Sequence, residues 1–436
     1  MCYKGARAVR GALVVKPRCQ AVRGTRDVLP DEAARWQYVE GAARSVFERY
    51  GFREIRTPLI EPTELFTRSV GEATDIVRKE MYSFSAGSES VTLRPEATAS
   101  VARAFVEHSL HRTIAAGFPE RVYYIGPMFR YERPQKGRQR QFHQIGAEIL
   151  GAREPLADAE TIEMLWSFLD AIGIEDRELV VNSVGDARCR PGFREALVRW
   201  LEPRLDRLCE DCRRRARENP LRVFDCKVEA DRELLLGAPT ILDLLCGGCR
   251  EHFEEVCRTL DAYGIPYRAD PRIVRGLDYY ERTVFEVLSR DLGAQSAILG
   301  GGRYDGLVED LGGPAVPGFG FAIGLERLVS LMPEDRGLPA GTDVFVVSLG
   351  EPAWRASIAL ARRLRAAGVR VAMPMSSRPM GAQLKRADRV RARFALFVGE
   401  SEIASGRYGL KDLATGEQSS VQEKDLVARL GGRHGE

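Results

Sequence analysis

Apolar residues recur at helical spacing through 31–49, where Trp36, Val39, Ala43, Val46 and Phe47 fall near one face, and Gly51 closes the run. The next stretch, Glu54–Ile60, reads as a strand interrupted by Pro58. A proline lacks the amide a ladder needs, so this strand suits a sheet edge or a subunit boundary. A short strand, Ser90–Arg94, leads into a helix over Pro95–His108. A long hairpin follows, Arg121–Tyr131 and Gln141–Leu150, then a helix over Leu156–Ile172. Between about Asn182 and Ala269 the texture turns helical and charged, and most of the nine cysteines fall there, so this stretch reads as an insertion. Strands resume at Thr283–Ser289 and Phe319–Ile323, with a glycine-rich turn between them. Leu325, Leu328, Val329 and Met332 form the buried stripe of a further helix, with Arg327 in its first turn and off the stripe. Pro333–Gly341 has the composition of a linker. Beyond it, strand and helix patterns alternate: Val344–Ser348, Ala353–Ala367, Val369–Ala372, Pro379–Arg391 and Phe394–Val398, then a hairpin around Ala414–Gly416. That order predicts a small α/β domain with a largely parallel sheet.

The long hairpin carries the first chemistry. Side chains alternate faces along a strand. Ile145, Ala147 and Ile149 therefore share one face, and Phe142, Gln144, Gly146 and Glu148 the other. On the partner strand Tyr123, Ile125, Phe129 and Tyr131 oppose Val122, Tyr124, Gly126, Met128 and Arg130. One face is a core face. The other, with Arg130, Gln144 and Glu148 around two glycines, is either solvated or the floor of a site where glycine lets a ligand approach. The tip, Arg130–Arg140, holds five basic residues and one acid, a composition that can meet phosphates and base edges.

Charge sharpens this picture slightly. The last 96 residues carry 16 Lys/Arg against 10 Asp/Glu, a surplus of +6, which leaves the preceding 340 at −3 of the overall +3. A basic module on a near-neutral body fits a polyanionic partner. Residues 1–18 read as a basic, disordered leader without the apolar core of a secretory signal. No apolar run approaches membrane-spanning length, and cysteines without an export signal predict free thiols and a cytoplasmic setting. Phosphate-loop, HExxH and GxSxG patterns are absent. Cys209-x₂-Cys212 and Cys246-x₂-Cys249 form a spacing that predicts a structural zinc site, with Cys226 as a further candidate ligand. The alternative is reduced thiols on helices that pack together.

Six segments together resemble one family. AVRGTRDVLP (Ala21–Pro30), TLRPEATA (Thr92–Ala99), MFRYERPQKGRQRQFHQIGAE (Met128–Glu148), RGLDYY (Arg275–Tyr280), GGRYDGL (Gly301–Leu307) and GFAIGLERL (Gly320–Leu328) stand in the order and spacing of histidyl-tRNA synthetases, a class II aminoacyl-tRNA synthetase family. The resemblance runs from about Gln20 to Arg429, and MFRYERPQKGRQRQFHQ and RGLDYY are its most specific parts. It implies an α+β fold: an antiparallel class II sheet flanked by helices over 19–332, a helical insertion at about 182–269, a linker at 333–341, and an α/β anticodon-binding domain over 342–436. A homodimer is implied as well. The family's activity does not depend on a zinc site.

The resemblance also implies roles. Arg130, Arg275 and Arg327 would be catalytic, holding the α-phosphate, the carboxylate with the α-phosphate, and the far end of ATP respectively. Phe142 would stack near the adenine. Glu96, Thr98 and Gln144 would receive the α-amino group of L-histidine, Glu148 and Tyr280 the imidazole, with Tyr279 and Tyr304 completing the pocket. Ala97 stands where the family usually has glycine, which adds a methyl near the amino acid. Arg133 and Gln135 would meet the acceptor end of tRNA(His), and Mg²⁺ would accompany ATP. The rival reading is an inactive synthetase paralogue regulating histidine biosynthesis. Such proteins lack the anticodon module and usually alter RGLDYY, and this chain has both.

Overall fold

Proline opens the first helix because its missing amide would be unsatisfied there in any case. Helix α1 runs Pro30–Arg49, with Asp31 and Glu32 favourably placed in its first turn. The computed structural model describes residues 19–431 except 72, 73, 75, 116, 135–137, 274–278, 296, 339 and 340. The chain divides into two compact units, the first ending at Leu338.

The first unit is built on an eight-stranded sheet. Its strands are β1 (Arg53–Glu54), β2 (Glu120–Phe129), β3 (Gln141–Leu150), β4 (Glu178–Ser183), β5 (Tyr267–Ala269), β6 (Glu281–Leu288), β7 (Ala297–Arg303) and β8 (Gly318–Gly324), in the order β1-β2-β3-β8-β7-β6-β4-β5. The outermost pairs are parallel and the pairs between them antiparallel. Hairpin register sets Tyr124 opposite Gly146 and Gly126 opposite Gln144. Period-two alternation then gives the sheet two cores. Ile145, Ala147, Ile149, Phe319 and Phe321 bury against α1 and helix α3 (Pro155–Ala171). On the opposite face Val122, Tyr124 and Met128 pack with Val101 and Phe105 of helix α2 (Thr98–Glu107) and with Tyr279, Tyr280 and Tyr304. The second face of the hairpin is therefore covered, not solvated.

Two expectations are corrected. The predicted strand Glu54–Ile60 is two short strands in different sheets: Arg53–Glu54 in the large one, and Ile60–Pro62 beside Glu89–Leu93 in a three-stranded sheet completed by Tyr82–Ala86. The chain crosses between the sheets at Pro58, where no amide is available for pairing. The glycine-rich segment is not a turn. Gly300, Gly301 and Gly302 lie within β7, because a Cβ at Gly301 or Gly302 would run into the carbonyl of Gly320 or Thr283 on the adjoining strand. Strand β4, which the sequence reading did not identify, lies just before the insertion.

The insertion consists of α4 (Arg190–Leu201), α5 (Glu210–Glu218), a shorter helix Glu229–Leu235 and α6 (Gly247–Ala262), around its own apolar core. A buried charge network ties it to the sheet. Arg303, fully buried at the end of β7, pairs with Asp158 of α3, donates to the Ala152 carbonyl at 2.9 Å and to Asp305 at 3.0 Å. His252 of α6 meets the same Asp158 carboxylate at 2.9 Å. Burial alone would raise the Asp158 pKa, but Arg303 and His252 hold it below its ordinary value. The second unit is a five-stranded sheet in which Val344–Ser348 lies between Val371–Ala372 and the central strand Phe394–Val398, parallel to both. The hairpin Arg407–Asp412 and Gln418–Gln422 adds two antiparallel strands, so this sheet is mixed.

Removing one partner of a buried ion pair strands the other. Arg303→Met is expected to lower unfolding free energy by roughly 3–5 kcal/mol, read from the urea midpoint. A loss below about 1 kcal/mol would show that this pair is not what secures α3 and α6 to the sheet.

Candidate active site

A cavity of about 840 Å³ opens on the α2 face of the sheet. Glu96, Thr98, Arg130, Phe142, Gln144, Tyr279, Tyr280 and Arg327, all named from the sequence, line it. Glycine and alanine at Gly300, Ala322 and Gly324 floor it on β7 and β8. Their positions follow from alternation, since Phe319, Phe321 and Ile323 between them point into the opposite core.

The hairpin glycines do something other than receive ligand. A Cβ at Gly126 would meet the Arg94 guanidinium, and one at Gly146 would overlap the Tyr124 ring. Arg94 is held there by the Thr57 hydroxyl at 2.8 Å and the Thr57 and Pro127 carbonyls at 3.1 Å. Gly320 makes room for Glu148, whose carboxylate a methyl at that position would overlap.

Glu148 is fully buried below the cavity and is not among its lining residues. Thr98 Oγ1 donates to one carboxylate oxygen at 2.7 Å and Tyr304 Oη to the other at 2.5 Å. Burial pushes its pKa up to about 8. The neighbouring Glu96 adds to the rise, while the Tyr304 and Thr98 hydrogen bonds oppose it. Tyr304 is equally buried, supporting Glu148 from beneath. Glu96 caps α2, accepting the Thr98 amide at 2.7 Å and the Ala99 amide at 3.0 Å, and burial raises its pKa too. Ala97 is fully buried in the apolar cluster beside α2. Gln144 Oε1 is buried without a hydrogen-bond partner, an acceptor set against the cavity.

Arginines gather in the same cavity. Arg130 donates to the Pro95 carbonyl at 2.9 Å and lies over the Phe142 ring, 5.3 Å from its centre. Arg327 donates to the Ala297 carbonyl. Burial lowers its pKa, and repulsion from Arg138 and Arg130 lowers it further. Like charges held together under burial are stabilised by an anion. Arg26, Glu132, Arg138 and Glu326 also line the cavity, with Glu326 accepting the His143 amide at 3.0 Å and Arg138 paired to Glu132 at 3.0 Å. The sequence reading gave these four no role, although each lies in or beside a quoted motif. Arg133 is exposed in the tip, away from the cavity lining. Arg275 and Gln135 lie outside the described residues.

The cysteines are corrected. The four of the two CxxC pairs do not form one tetrahedron. Cys209 and Cys212 group with Cys226 and Asp231, while Cys246 and Cys249 group with Cys189 and Asp186.

Helices stacked on one face of an antiparallel sheet and an arginine-rich cavity on the other define the catalytic body of a class II aminoacyl-tRNA synthetase. A family model described as histidyl-tRNA synthetase matches residues 24–328, and one described as anticodon binding domain matches 343–433. The chain belongs to the histidyl-tRNA synthetase family. Histidine–tRNA ligase from Syntrophotalea carbinolica is 51% identical over 410 residues, 94% of this chain and 97% of that protein. That from Geobacter metallireducens is 50% identical over 401 residues, covering 92% and 96%. Among solved structures, apo histidyl-tRNA synthetase from S. aureus aligns at TM-score 0.79 and 36% identity, over 94% of this chain and 99% of that one. A Bacillus halodurans structure titled as an ATP phosphoribosyltransferase regulatory subunit/histidyl-tRNA synthetase aligns at TM-score 0.64 over 88% of this chain and 99% of its own, at 20% identity, and shows likeness of fold alone. Among the described residues no helix is long and apolar enough to cross a membrane.

The buried carboxylate has a pH signature. Glu148 rises from 4.5 to about 8 on folding, so between those values the folded chain keeps a proton that the unfolded chain has released. Stability is therefore highest below this window and falls as pH rises through it. Glu148→Gln should flatten the fall in urea midpoint between pH 5.5 and 8, with Glu96 retaining a part. An unchanged slope in the variant would place the titrating group elsewhere.

Proposed function

We propose that this chain ligates histidine to tRNA. The carboxylate of histidine attacks the α-phosphorus of ATP, the bond to the β-phosphate oxygen breaks, and pyrophosphate leaves. The 3′-terminal ribose hydroxyl of tRNA(His) then attacks the carbonyl of the adenylate, and AMP departs. The observation that carries this reading is one cavity holding two kinds of chemistry. Buried polar groups around Glu96, Thr98 and Gln144 suit an amino acid, and the Arg130–Arg327 cluster suits a polyphosphate.

The attacking carboxylate is already an anion, so positioning and charge neutralisation do most of the catalysis. Arg130 takes the α-phosphate and Arg327 the far end of ATP, with Phe142 against the adenine. Arg275 bridges the carboxylate and the α-phosphate, an assignment resting on its RGLDYY motif. Glu96, Thr98 and Gln144 accept the α-ammonium group, and the unpartnered Gln144 Oε1 supports this. Tyr280 and Glu148 meet the imidazole, which with a pKa near 6.5 can take up the proton that buried Glu148 retains. Tyr279 and Tyr304 shape the pocket wall. Mg²⁺ would be held beside the ATP phosphates by oxygens of Glu132, Asp291 and Glu326 in the same lining, and would offset phosphate charge there. Arg133 and Gln135 take the acceptor end of the tRNA, a role resting on their place in the MFRYERPQKGRQRQFHQ motif, and the basic domain from 342 onward contacts its anticodon. The enzyme works as a cytoplasmic homodimer, with residues 19–332 as catalytic domain.

A side chain that cannot pair with the buried polar groups is rejected by roughly 10⁴-fold, by the logic of polar pockets. Exchange of labelled pyrophosphate into ATP, run across the standard amino acids, should therefore respond to histidine alone. Exchange with none of them from folded protein and Mg²⁺ would sink the proposal in favour of a regulatory paralogue. Arg130→Ala should lower exchange by about 10²–10³-fold, and Arg275→Ala should abolish it. Gly320→Ala should displace Glu148 and cost on the order of 10²-fold while circular dichroism stays unchanged. Full activity in Gly320→Ala would remove Glu148 from the pocket.

A further inference from the structure

The insertion contains seven of the chain's nine cysteines. Six of them fall into two groups of one design. In each group a CxxC pair opens a helix, and one further cysteine and one aspartate complete a set of four. Cys209 caps α5, with Cys212 in its first turn. Cys226 comes from the turn after Pro220–Asp225, and Asp231 from the helix Glu229–Leu235. Cys246 caps α6, with Cys249 in its first turn, and Asp186 and Cys189 come from the turn entering α4. In both groups the four ligand atoms lie within 4.8 Å of one another.

The distances match a small tetrahedral ion. With Zn–S of about 2.3 Å and Zn–O of about 2.0 Å, sulfur–sulfur edges come to about 3.8 Å and sulfur–oxygen edges to about 3.5 Å. Cys209 Sγ lies 3.8 Å from Cys226 Sγ, and Cys226 Sγ lies 3.3 Å from Asp231 Oδ2. In the second group Asp186 Oδ1 lies 3.4 Å from Cys189 Sγ and 4.0 Å from Cys246 Sγ. All of these cysteines are free thiols.

Backbone amides already point at the sulfurs. Cys209 Sγ accepts the Cys212 amide at 3.4 Å, Cys226 Sγ the Val228 amide at 3.4 Å, and Cys189 Sγ the Cys246 amide at 3.1 Å. Such donors stabilise thiolates. Asp231 is 1% exposed, and among the described residues its partners are the Cys209 amide and the cysteine side chains of its own group, with no lysine or arginine. A buried carboxylate needs a positive partner, and a metal ion provides one.

We infer that the insertion binds two structural zinc ions, one by Cys209, Cys212, Cys226 and Asp231 and the other by Asp186, Cys189, Cys246 and Cys249. Three thiolates and one carboxylate in a closed tetrahedron favour zinc over a harder cation. Each ion joins the start of a helix to a turn distant in sequence, in a module with a small core of its own. The second site has a reach beyond the insertion. Arg190, next to Cys189, donates to the backbone carbonyl of Tyr280 in the cavity wall.

The test is metal content of the full chain. Reduced protein is loaded with zinc sulfate alone, desalted and measured by elemental mass spectrometry, with Cys226→Ala and Cys189→Ala alongside. Two zinc ions per chain, one in each variant and none in the double variant, are expected. No zinc, iron in its place, or a single ion lost alike in Cys209→Ala and Cys246→Ala (the one-tetrahedron arrangement) would overturn the proposal. Cobalt titration of the unsubstituted chain decides the matter if a variant fails to fold. Thiolate-to-cobalt absorption should saturate at two equivalents, and saturation at one or none counts against two sites.

Discussion

A carboxylate with no exposure to water governs the architecture around the cavity. Burying Glu148 is costly unless its oxygens find donors, and the donors come from separate elements: Thr98 at the start of α2 and Tyr304 just after β7. Satisfying one side chain therefore fixes α2 and the β7 end against β3. The room for it comes from Gly320 on β8, where any side chain would occupy the carboxylate's position. Glycine within a strand sacrifices packing and backbone entropy. The central strands accept that loss because the space a side chain at 320 would fill is taken by the Glu148 carboxylate.

The same reasoning explains the arginines. Arg94 and Arg303 are as buried as core residues, yet their donors meet carbonyls and carboxylates, so they act as structural cross-ties. Arg130 and Arg327 differ. Each spends a donor on a backbone carbonyl that fixes its direction, while the charge stays in the cavity near Arg138. Orientation is settled before any ligand arrives, and little reorganisation is left for the reaction step. Arg303 reaches through Asp158 to His252 of the insertion, so the module with the cysteine groups is anchored to the strand that floors the cavity.

Periodic and local features were legible in the sequence. The hairpin's two faces, the stripe of the helix carrying Arg327 and the strand–helix order after 343 depend on alternation and turn residues within a few positions. Features set by distant contacts were not. Gly300–Gly302 read as a turn because glycine disfavours strands, and only the nearness of the β6 and β8 backbones explains a strand there. Gly126 and Gly146 read as part of a face either solvated or open to a ligand, and the sequence did not reveal that Arg94 and Tyr124 would fill them. The cysteines show the limit most sharply. Two CxxC pairs at a plausible spacing suggest one site, yet partners are chosen by which turns meet in space, and here each pair meets a different cysteine and a different aspartate.

Fold and chemistry also separate in what they can establish. The sheet, its flanking helices and its order of strands are shared beyond proteins with this activity, so architecture alone defines a scaffold. What narrows the reading is a requirement imposed by burial. A protein that used this fold only to bind a partner would have no reason to keep Glu96 and Glu148 in a region where both carboxyls are pushed above their ordinary range, nor to hold Arg130, Arg138 and Arg327 close enough to repel one another. Each arrangement is unfavourable without a ligand, and groups of opposite charge would relieve both. Electrostatic strain of this kind, held in one cavity and in the buried carboxylate beneath it, marks a functional site.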